Sequence, residues 1–333
     1  MIIETYSYPR AALIGNPSDG YFGKTIAFVF RNFQARVLLY ETPEVEILPE
    51  RLDLARFDNI GALAQHVALN GYYGGLRLLK ATIKVFYEHC MSTGQQLPQR
   101  NFTIRYSTNI PIRLGLAGSS AIITACFRAL MTFYHVRIAC PVLANLVLSV
   151  EKSELGIAAG LQDRVAQAYE TPVFMDFDRA IMERQGHGDY HELDAGRLPP
   201  LYIAFRRNLS EGTEVLHNTL KARFGIGEQV VLDAMQEWAS LTVQFKEAMD
   251  AGDHTRMHQL INQNFDLRRS LVPITQGNID MVEAARSTGA SAKFTGSGGA
   301  IIGTYKDEAM YQLLVNTLNK LGIEVIKPSI AAG

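Results

Sequence analysis

A glycine- and serine-rich segment at residues 111–121 runs directly into an apolar stretch with helical spacing. Gly115 and Gly118 allow a tight turn that brings backbone N–H groups close to a ligand. Ser119 and Ser120 follow where the helix is expected to begin, and the unpaired N–H groups and positive dipole end there bind anions readily. The segment therefore favours a phosphate-binding loop that leads into a buried helix.

The loop matches neither of two common phosphate-binding patterns. It contains no lysine, so it is not a Walker A loop, and its glycine spacing differs from the dinucleotide-binding fingerprint. Taken alone, such a run also fits an ordinary serine cap after a glycine turn. Other residues must therefore decide between these two interpretations.

Two carboxylates follow the loop at a spacing that suits phosphoryl transfer. Glu151 is expected on a later helix, and Asp163 lies 12 positions further on. Gly156 and Gly160 interrupt the helix between them, which allows both carboxylates to face one cavity. Phosphoryl transfer needs a carboxylate for Mg²⁺ and a group that positions or deprotonates the acceptor hydroxyl. We assign Glu151 to the metal and Asp163 to the hydroxyl; the alternative is that each is a surface charge on an amphipathic helix.

The order of the strand and helix patterns along the chain predicts an α+β fold. Its 333 residues exceed what one core usually serves, so two domains are expected. A polar segment rich in glycine and proline, residues 186–200, separates two such regions. We therefore predict domains at residues 1–190 and 191–333, each a sandwich of sheet and helices.

The individual elements follow from the hydrophobic periodicity and the turn residues. Strands are predicted at residues 11–14, 35–40, 45–48, 102–106, 171–177, 201–205 and 323–326, with a strand-loop-strand at 292–302. Helices are predicted at residues 61–90, 122–134, 143–154, 160–169, 230–249, 255–265, 279–287 and 308–321.

Composition excludes several classes of protein. The net charge of −1 does not indicate a nucleic-acid-binding protein, and no apolar run reaches the length of a membrane span. The three cysteines, Cys90, Cys126 and Cys140, lack paired spacing, which argues against a disulfide framework. The N-terminus does not resemble a secretory signal. We expect a cytoplasmic enzyme with access to ATP, without nucleic-acid or membrane partners; the oligomeric state is not predicted.

Three motifs in order carry a resemblance to a known family. They are residues 9–19, Pro-Arg-Ala-Ala-Leu-Ile-Gly-Asn-Pro-Ser-Asp; the loop at residues 111–121; and residues 293–301, Lys-Phe-Thr-Gly-Ser-Gly-Gly-Ala-Ile. Through them nearly the whole chain resembles the GHMP kinases, the family of galactokinase, homoserine kinase, mevalonate kinase and phosphomevalonate kinase. The resemblance implies an N-terminal domain like ribosomal S5 domain 2, a C-terminal ferredoxin-like sandwich, and transfer of the γ-phosphoryl group of MgATP to a small molecule.

Within that family the chain is most similar to the glucuronokinases. The similar runs are residues 15–26, 156–167, 264–270 and 293–299. This resemblance implies phosphorylation of D-glucuronate at C-1. Galactokinases usually carry Gly-Glu-His-x-Asp where this chain has Gly-Asn-Pro-Ser-Asp at residues 15–19, which counts against galactose.

The resemblance also implies roles for individual residues. Ser120 and Glu151 would hold Mg²⁺, and Asp163 would be the base or hydroxyl-positioning group. Arg10 would stabilise charge beside it, and Asp19 with Asn16 would bind the sugar. Contacts to ATP and its phosphates are implied for Pro111, Gly115, Leu116, Ala117, Gly118, Ser119, Ser120, Ala121, Gly296, Ser297 and Gly298. Ala117 stands where many relatives have glycine, and we expect the loop to tolerate this small side chain.

An acidic acceptor requires a cation, and arginine suits a carboxylate because its fork donates two parallel hydrogen bonds. The candidates are Arg164, Arg268 and Arg269. Arg268 and Arg269 could instead form a surface pair or a structural salt bridge, and Arg164 could point away from its neighbour Asp163. Lys293 could meet phosphate or lie at a solvated strand end.

Two wider alternatives stay open. One is a kinase for another acceptor, such as galacturonate, a heptose phosphate, an N-acetylhexosamine or mevalonate. The other is a ligand sensor of the same fold that lacks catalysis, which the presence of Ser120, Glu151 and Asp163 argues against. Tyr72 and Tyr73 are interpreted as packing residues, with adenine stacking as the alternative.

Overall fold

The structure is a computed structural model that describes residues 2–50, 53, 74–206 and 220–331. The predicted helix at 61–90 is described from Gly75 onwards, and its earlier residues, with Tyr72 and Tyr73, lie outside the described part. No helix among the described residues is long and apolar enough to cross a membrane.

The N-terminal part contains two sheets whose strands pair mostly antiparallel. Their strand orders are β1-β4-β6-β5 and β2-β3-β7-β8. Helices α1 and α2 pack together against the first sheet, and α4 packs on the second. The strands are β1 Ile2–Ser7, β2 Arg10–Ile14, β3 Lys24–Val29, β4 Ala35–Thr42, β5 Glu46–Ile47, β6 Asn101–Thr108, β7 Val173–Asp176 and β8 Asp189–Glu192. The helices are α1 Gly75–Ser92, α2 Gly118–Tyr134, α3 Cys140–Ser149, α4 Gln162–Tyr169 and α5 Arg179–Gln185.

The C-terminal part follows the order strand, helices, two strands, helix, strand. Its antiparallel sheet has the order β10-β11-β9-β12, the arrangement of a ferredoxin-like βαββαβ sandwich. Together with the N-terminal sheets it confirms the predicted α+β fold. The elements are β9 Leu201–Phe205, α6 Gln229–Ala251, α7 His254–Leu271, α8 Gln276–Arg286, β10 Lys293–Phe294, β11 Ala300–Thr304, α9 Glu308–Asn319 and β12 Glu324–Ile326.

The predicted loop at residues 186–200 contains a strand that the sequence pattern did not indicate. Strand β8, Asp189–Glu192, pairs antiparallel with β7 and continues the second sheet. Its side chains are polar and mostly exposed, so no hydrophobic alternation marks it, and its strand conformation comes from pairing with β7. The predicted boundary between residues 190 and 191 falls inside this strand, and a boundary after Glu192 keeps the sheet whole.

The hydrophobic core joins the two parts. One buried cluster extends from Ile3 in β1 to Ile302 in β11, and Trp238 of α6 is fully buried within it. A second cluster fills the C-terminal sandwich between its sheet and helices α8 and α9. Because the first cluster crosses from one part to the other, the glycine-rich loops of both parts are held against the same strand, β2.

Candidate active site

Strand β2 lies between the two glycine-rich loops. The Arg10 N–H donates to the carbonyl of Leu116 in the N-terminal loop at 3.0 Å, and the Ala12 N–H donates to the carbonyl of Thr295 in the C-terminal loop at 2.9 Å. Both loops are therefore hydrogen-bonded to the edge of β2 that does not pair with β3. The two loops form opposite sides of one site.

The Arg10 side chain occupies the centre of this arrangement and is only 4% exposed. Its Nη2 lies 2.6 Å from Asp163 Oδ1. Its Nη1 donates to the carbonyl of Gly115 at 3.2 Å and also to the carbonyl of Thr295. One guanidinium thus contacts the predicted base and both loops at once.

A second arginine joins the two carboxylates that the sequence analysis singled out. Arg164 Nε donates to Glu151 Oε2 at 2.7 Å, and Nη2 donates to the same oxygen. Arg164 Nη1 donates to Asp163 Oδ2 at 2.9 Å. Burial opposes the charge of this guanidinium, but the charges of Glu151 and Asp163 overcome that cost and raise its pKa. Arg164 was predicted as a ligand of the acceptor. In the structure it binds Glu151 and Asp163, and it therefore lies on the same side as Asp163.

Glu151 is held on a short π-helical turn, Val150–Glu154, and is fully buried. Such turns are common at functional sites because they redirect one side chain out of the regular helical sequence. Glu151 Oε1 accepts a hydrogen bond from Ser119 Oγ at 2.6 Å. The predicted partner, Ser120, is buried and donates to the carbonyl of Ala117 at 3.1 Å. The structure thus places Ser119 rather than Ser120 beside this carboxylate.

The N-terminal loop reaches α2 through a left-handed residue. Ala117 has φ 61° and ψ 44°, a conformation that costs a residue with a Cβ roughly 1–2 kcal/mol relative to glycine. The loop keeps its shape because Ala117 O accepts a hydrogen bond from Gln167 Nε2 at 2.9 Å. The alanine is tolerated, as expected, but in a strained conformation.

The remaining predicted loop residues surround this turn. Pro111 is half-buried, Leu116 is buried, and Gly118 with Ala121 lies in the first turn of α2. This turn lies beside Glu151, which accepts the hydrogen bond from Ser119.

Asp19 lies beside the charged cluster in a short 3₁₀ turn, Ser18–Tyr21. It is buried, and its Oδ1 accepts a hydrogen bond from Gln162 Nε2 at 3.2 Å. Burial, followed by the nearby charge of Asp163, raises the pKa of Asp19 to about 7, although Arg10 opposes this. The carboxyl can therefore be either neutral or ionised near neutral pH.

Close packing explains the need for glycine at two positions. A Cβ at Gly296 would lie 2.6 Å from the carbonyl oxygen of Gly115 and 3.1 Å from Arg10 Nη1. A Cβ at Gly160 would lie 2.3 Å from Asp19 Oδ2. The first glycine lets the two loops touch, and the second leaves room for the Asp19 carboxyl.

The other two predicted acceptor arginines lie in the last turn of α7. Arg268 is buried and donates to the carbonyls of Gly296 and Ser297. Arg269 is exposed and pairs with Glu283 of α8 at 2.9 Å, as the salt-bridge alternative anticipated. The described contacts therefore bring Arg268, but not Arg269, to the site.

Two groups at the site, Gln162 and Thr295, were given no role from the sequence, and for Lys293 two alternatives were left open. Gln162 bridges to Asp19, and Thr295 accepts from both Arg10 and Ala12 through its carbonyl. Lys293 does not lie at a solvated strand end: its Nζ is buried and donates to the carbonyl of Ala12 at 2.7 Å. Backbone-mediated contacts of this kind leave no residue-type signal, whereas Gln162 next to Asp163 could have been suspected.

Known proteins share this architecture. The family described as GHMP kinases N terminal domain matches residues 77–171, and GHMP kinases C terminal matches residues 245–323. The chain is 44% identical over 308 residues to probable glucuronokinase 2 of Arabidopsis thaliana, covering 90% of this chain and 84% of that protein. It is also 44% identical over 306 residues to glucuronokinase 1 of that plant, covering 90% and 84%. The crystal structure of Lactococcus lactis galactokinase complexed with galactose has a TM-score of 0.77 at 16% identity, covering 100% of this chain and 94% of that chain.

Two glycine-rich loops that meet a buried arginine and a carboxylate pair define a small-molecule kinase, a phosphotransferase with an alcohol group as acceptor. The chain belongs to the GHMP kinase family. Kinases of this family use ATP as the phosphoryl donor.

Proposed function

We propose that the protein phosphorylates D-glucuronate at C-1 with MgATP, giving glucuronate 1-phosphate. The observation that carries this proposal is the 44% identity to the two Arabidopsis glucuronokinases over 90% of the chain. That identity far exceeds the 16% shared with the galactokinase of known structure, which supports the fold alone.

The charge of the site suits an acidic acceptor. Arg10, Arg164 and Arg268 are positively charged, while Glu151 and Asp163 balance part of this charge. The remaining carboxyl, Asp19, is only partly ionised near neutral pH because its pKa is raised to about 7. The balance among these groups is therefore slightly positive, which favours the anions of both ATP and a uronate.

The site also offers acceptors for sugar hydroxyls. Asn16 Oδ1 and Gln162 Oε1 are buried and have no hydrogen-bond partner within the described part of the chain. A buried oxygen without a donor is costly, and a sugar O–H relieves that cost. Together with Asp19, these oxygens would bind and orient the hydroxyls of the acceptor.

Asp163 and Arg10 would act on the reacting hydroxyl. Asp163 would accept its proton late in the transfer, because an anomeric hydroxyl is more acidic than an ordinary alcohol and needs mainly positioning. Arg10, at 2.6 Å from Asp163, would hold this carboxylate in position and stabilise charge on the acceptor oxygen. Removal of the Asp163 carboxylate is expected to affect the chemical step more than the binding of nucleotide.

The oxygens beside the N-terminal loop fit Mg²⁺. Glu151 Oε1 and Ser119 Oγ lie 2.6 Å apart at the start of α2, and both are hard oxygen donors of the kind that Mg²⁺ prefers. Glu151 would hold the ion with a serine hydroxyl, and Ser120 remains the serine predicted from the family resemblance. When bound, the ion would supply positive charge that offsets the negative charge of the ATP phosphates.

A coupled assay of ADP release with MgATP tests this function. The acceptor panel is D-glucuronate, D-galacturonate, galactose, a heptose phosphate, N-acetylhexosamines and mevalonate. We expect kcat/KM for D-glucuronate to exceed that for every neutral sugar by at least about 100-fold, since the positive charge balance of the site favours an anionic acceptor. Higher turnover of a neutral sugar would refute the uronate assignment, and turnover of another acid would reassign the acceptor within the same site.

The remaining expectations about partners and location are part of the same proposal. ATP and a sugar acid are the proposed ligands, and no nucleic-acid or membrane partner is proposed. A cytoplasmic location agrees with the need for ATP and stays a prediction.

A further inference from the structure

Arg268 of α7 contacts the backbone of the C-terminal glycine loop. Its Nη1 donates to the carbonyl of Gly296 at 2.8 Å, and its Nη2 donates to the carbonyl of Ser297. The guanidinium carbon lies 4.5 Å from the centre of the Phe294 ring, and the residue is 4% exposed. One rigid fork therefore holds two successive carbonyl groups from one side of the loop.

Because the peptide bond is planar and trans, this contact also fixes the direction of the N–H groups in the same peptides. In each peptide the N–H points opposite to the C=O. With the carbonyls of Gly296 and Ser297 directed at Arg268, the N–H groups of Ser297 and Gly298 are directed away from it. The Ser297 nitrogen accordingly faces the N-terminal loop, 3.0 Å from the position of a Cβ built on Gly115, and the Gly298 carbonyl oxygen, which Arg268 does not hold, lies 3.2 Å from the same position.

This orientation matters because the C-terminal loop does not begin a helix. It connects β10 to β11, which are antiparallel strands, so no helix dipole favours an anion there. A carbonyl turned towards phosphate would repel it, whereas a row of N–H groups attracts it. By binding the carbonyls of Gly296 and Ser297 on the opposite side, an arginine can direct the N–H groups of the same peptides towards an anion, as the start of a helix does.

We propose that Arg268 is a positioning residue that turns the N–H groups of the C-terminal glycine loop towards the nucleotide phosphates, and that it does not bind the acceptor carboxylate. The inference rests on the proposed phosphate-side role of this loop, but not on the identity of the sugar. Its neighbour Arg269 is exposed and paired with Glu283, which provides a matched control on the same helical turn.

The test compares the full-length variants Arg268→Gln, Arg268→Lys and Arg269→Gln with the parent protein. Calorimetry measures the Kd of MgADP in the absence of any acceptor, and steady-state kinetics measures KM for MgATP and for D-glucuronate. We expect Arg268→Gln to raise the MgADP Kd and the MgATP KM about tenfold, because two charge-assisted hydrogen bonds that orient the loop are lost. The D-glucuronate KM should change less than about threefold, and Arg269→Gln should match the parent protein.

The amine that Arg268→Lys introduces is a compact charge that cannot reproduce the fork, so we expect an increase of about threefold in the MgADP Kd. This variant decides the question if Arg268→Gln does not fold. A rise in the D-glucuronate KM with an unchanged MgADP Kd would make Arg268 an acceptor ligand and overturn the proposal. A lower melting temperature with unchanged MgADP and MgATP constants would show a purely structural role and would also overturn it.

Discussion

In the proposed site, the two glycine-rich loops of this kinase would present N–H groups to the nucleotide by different physical means. The N-terminal loop ends at the first turn of the 17-residue helix α2, whose dipole favours an anion without further help. The C-terminal loop lies between two antiparallel strands, and its carbonyls are held back by Arg268. The difference teaches that a glycine loop can owe its polarity either to a helix or to one well-placed cation.

The two loops also differ in how they accommodate left-handed backbone. The C-terminal loop uses glycine, with φ 77° at Gly299, where no Cβ opposes the conformation. The N-terminal loop also has a left-handed glycine, Gly115 at φ 63°, but it places Arg113 at φ 60° and Ala117 at φ 61° in this conformation as well, and Gln167 donates to the Ala117 carbonyl. The N-terminal loop therefore carries backbone strain at Ala117, whereas the C-terminal loop carries none at Gly299.

Removal of Arg10 should disrupt both loops at once, because its side chain donates to a carbonyl in each. We expect Arg10→Met to lower kcat by about 1,000-fold, since a preorganised cation at the developing charge is lost. Steady-state turnover measures this, with Arg36→Met, which removes an exposed partner of Glu4, as the control. A loss below about tenfold would mean that the loops hold their geometry without Arg10.

Separation of the loops should have the next largest effect. Gly296→Ala places a Cβ 2.6 Å from the Gly115 carbonyl oxygen and pushes the loops apart. We expect kcat to fall by about 100-fold, the cost of a displacement of about 1 Å in an active site. Gly20→Ala is the control, because a Cβ there meets nothing within 4 Å. Equal activity of the two variants would contradict the direct contact between the loops.

Asp19 lies outside both loops. Its titration shows whether the site stabilises a third ionised carboxylate besides Glu151 and Asp163. Its pKa is raised to about 7 in the folded protein from an ordinary value of 3.8. Between these values the folded state binds more protons than the unfolded state, so Asp19 should make the free energy of unfolding decrease as pH rises from about 4 to 7. Asp19→Asn should remove this decrease, leaving the variant more stable by on the order of a few kcal/mol at pH 8 and similar at pH 4.

Denaturant unfolding of Asp19→Asn and the parent protein at several pH values measures that difference. Asn is nearly isosteric with the protonated acid and can still contact Gln162. A parent protein whose relative stability rises with pH over this window would show that Asp19 is ionised and well paired.

Relief of strain in the N-terminal loop should have the smallest effect. We expect Ala117→Gly to raise the free energy of unfolding by roughly 0.5–1 kcal/mol, the strain relieved less the extra backbone entropy of glycine. Chemical denaturation measures it. Destabilisation by the same amount would show that the Ala117 methyl group makes contacts worth more than its strain.

The α+β class, the positions of most helices and the three family motifs could be predicted from the sequence, because periodicity and turn residues act over short stretches of chain. The short helix α5, Arg179–Gln185, which buries no residue, was not predicted. The family resemblance also implied the residues of the cluster, since it assigned adjoining roles to Arg10 and Asp163. Glu151 and the N-terminal loop were likewise recognisable from spacing and residue type. These features depend on local backbone preference, which residue identity largely determines.

Tertiary structure alone decided how the long side chains are used. Arg164 and Arg268 have the right chemistry for an acceptor carboxylate, yet one binds Glu151 and Asp163 and the other binds the carbonyls of Gly296 and Ser297. Strand β8 likewise exists because β7 offers it an edge. The physical reason is the same in each case: a hydrogen bond is made to whatever partner the fold brings within about 3 Å, and that partner can be remote in sequence.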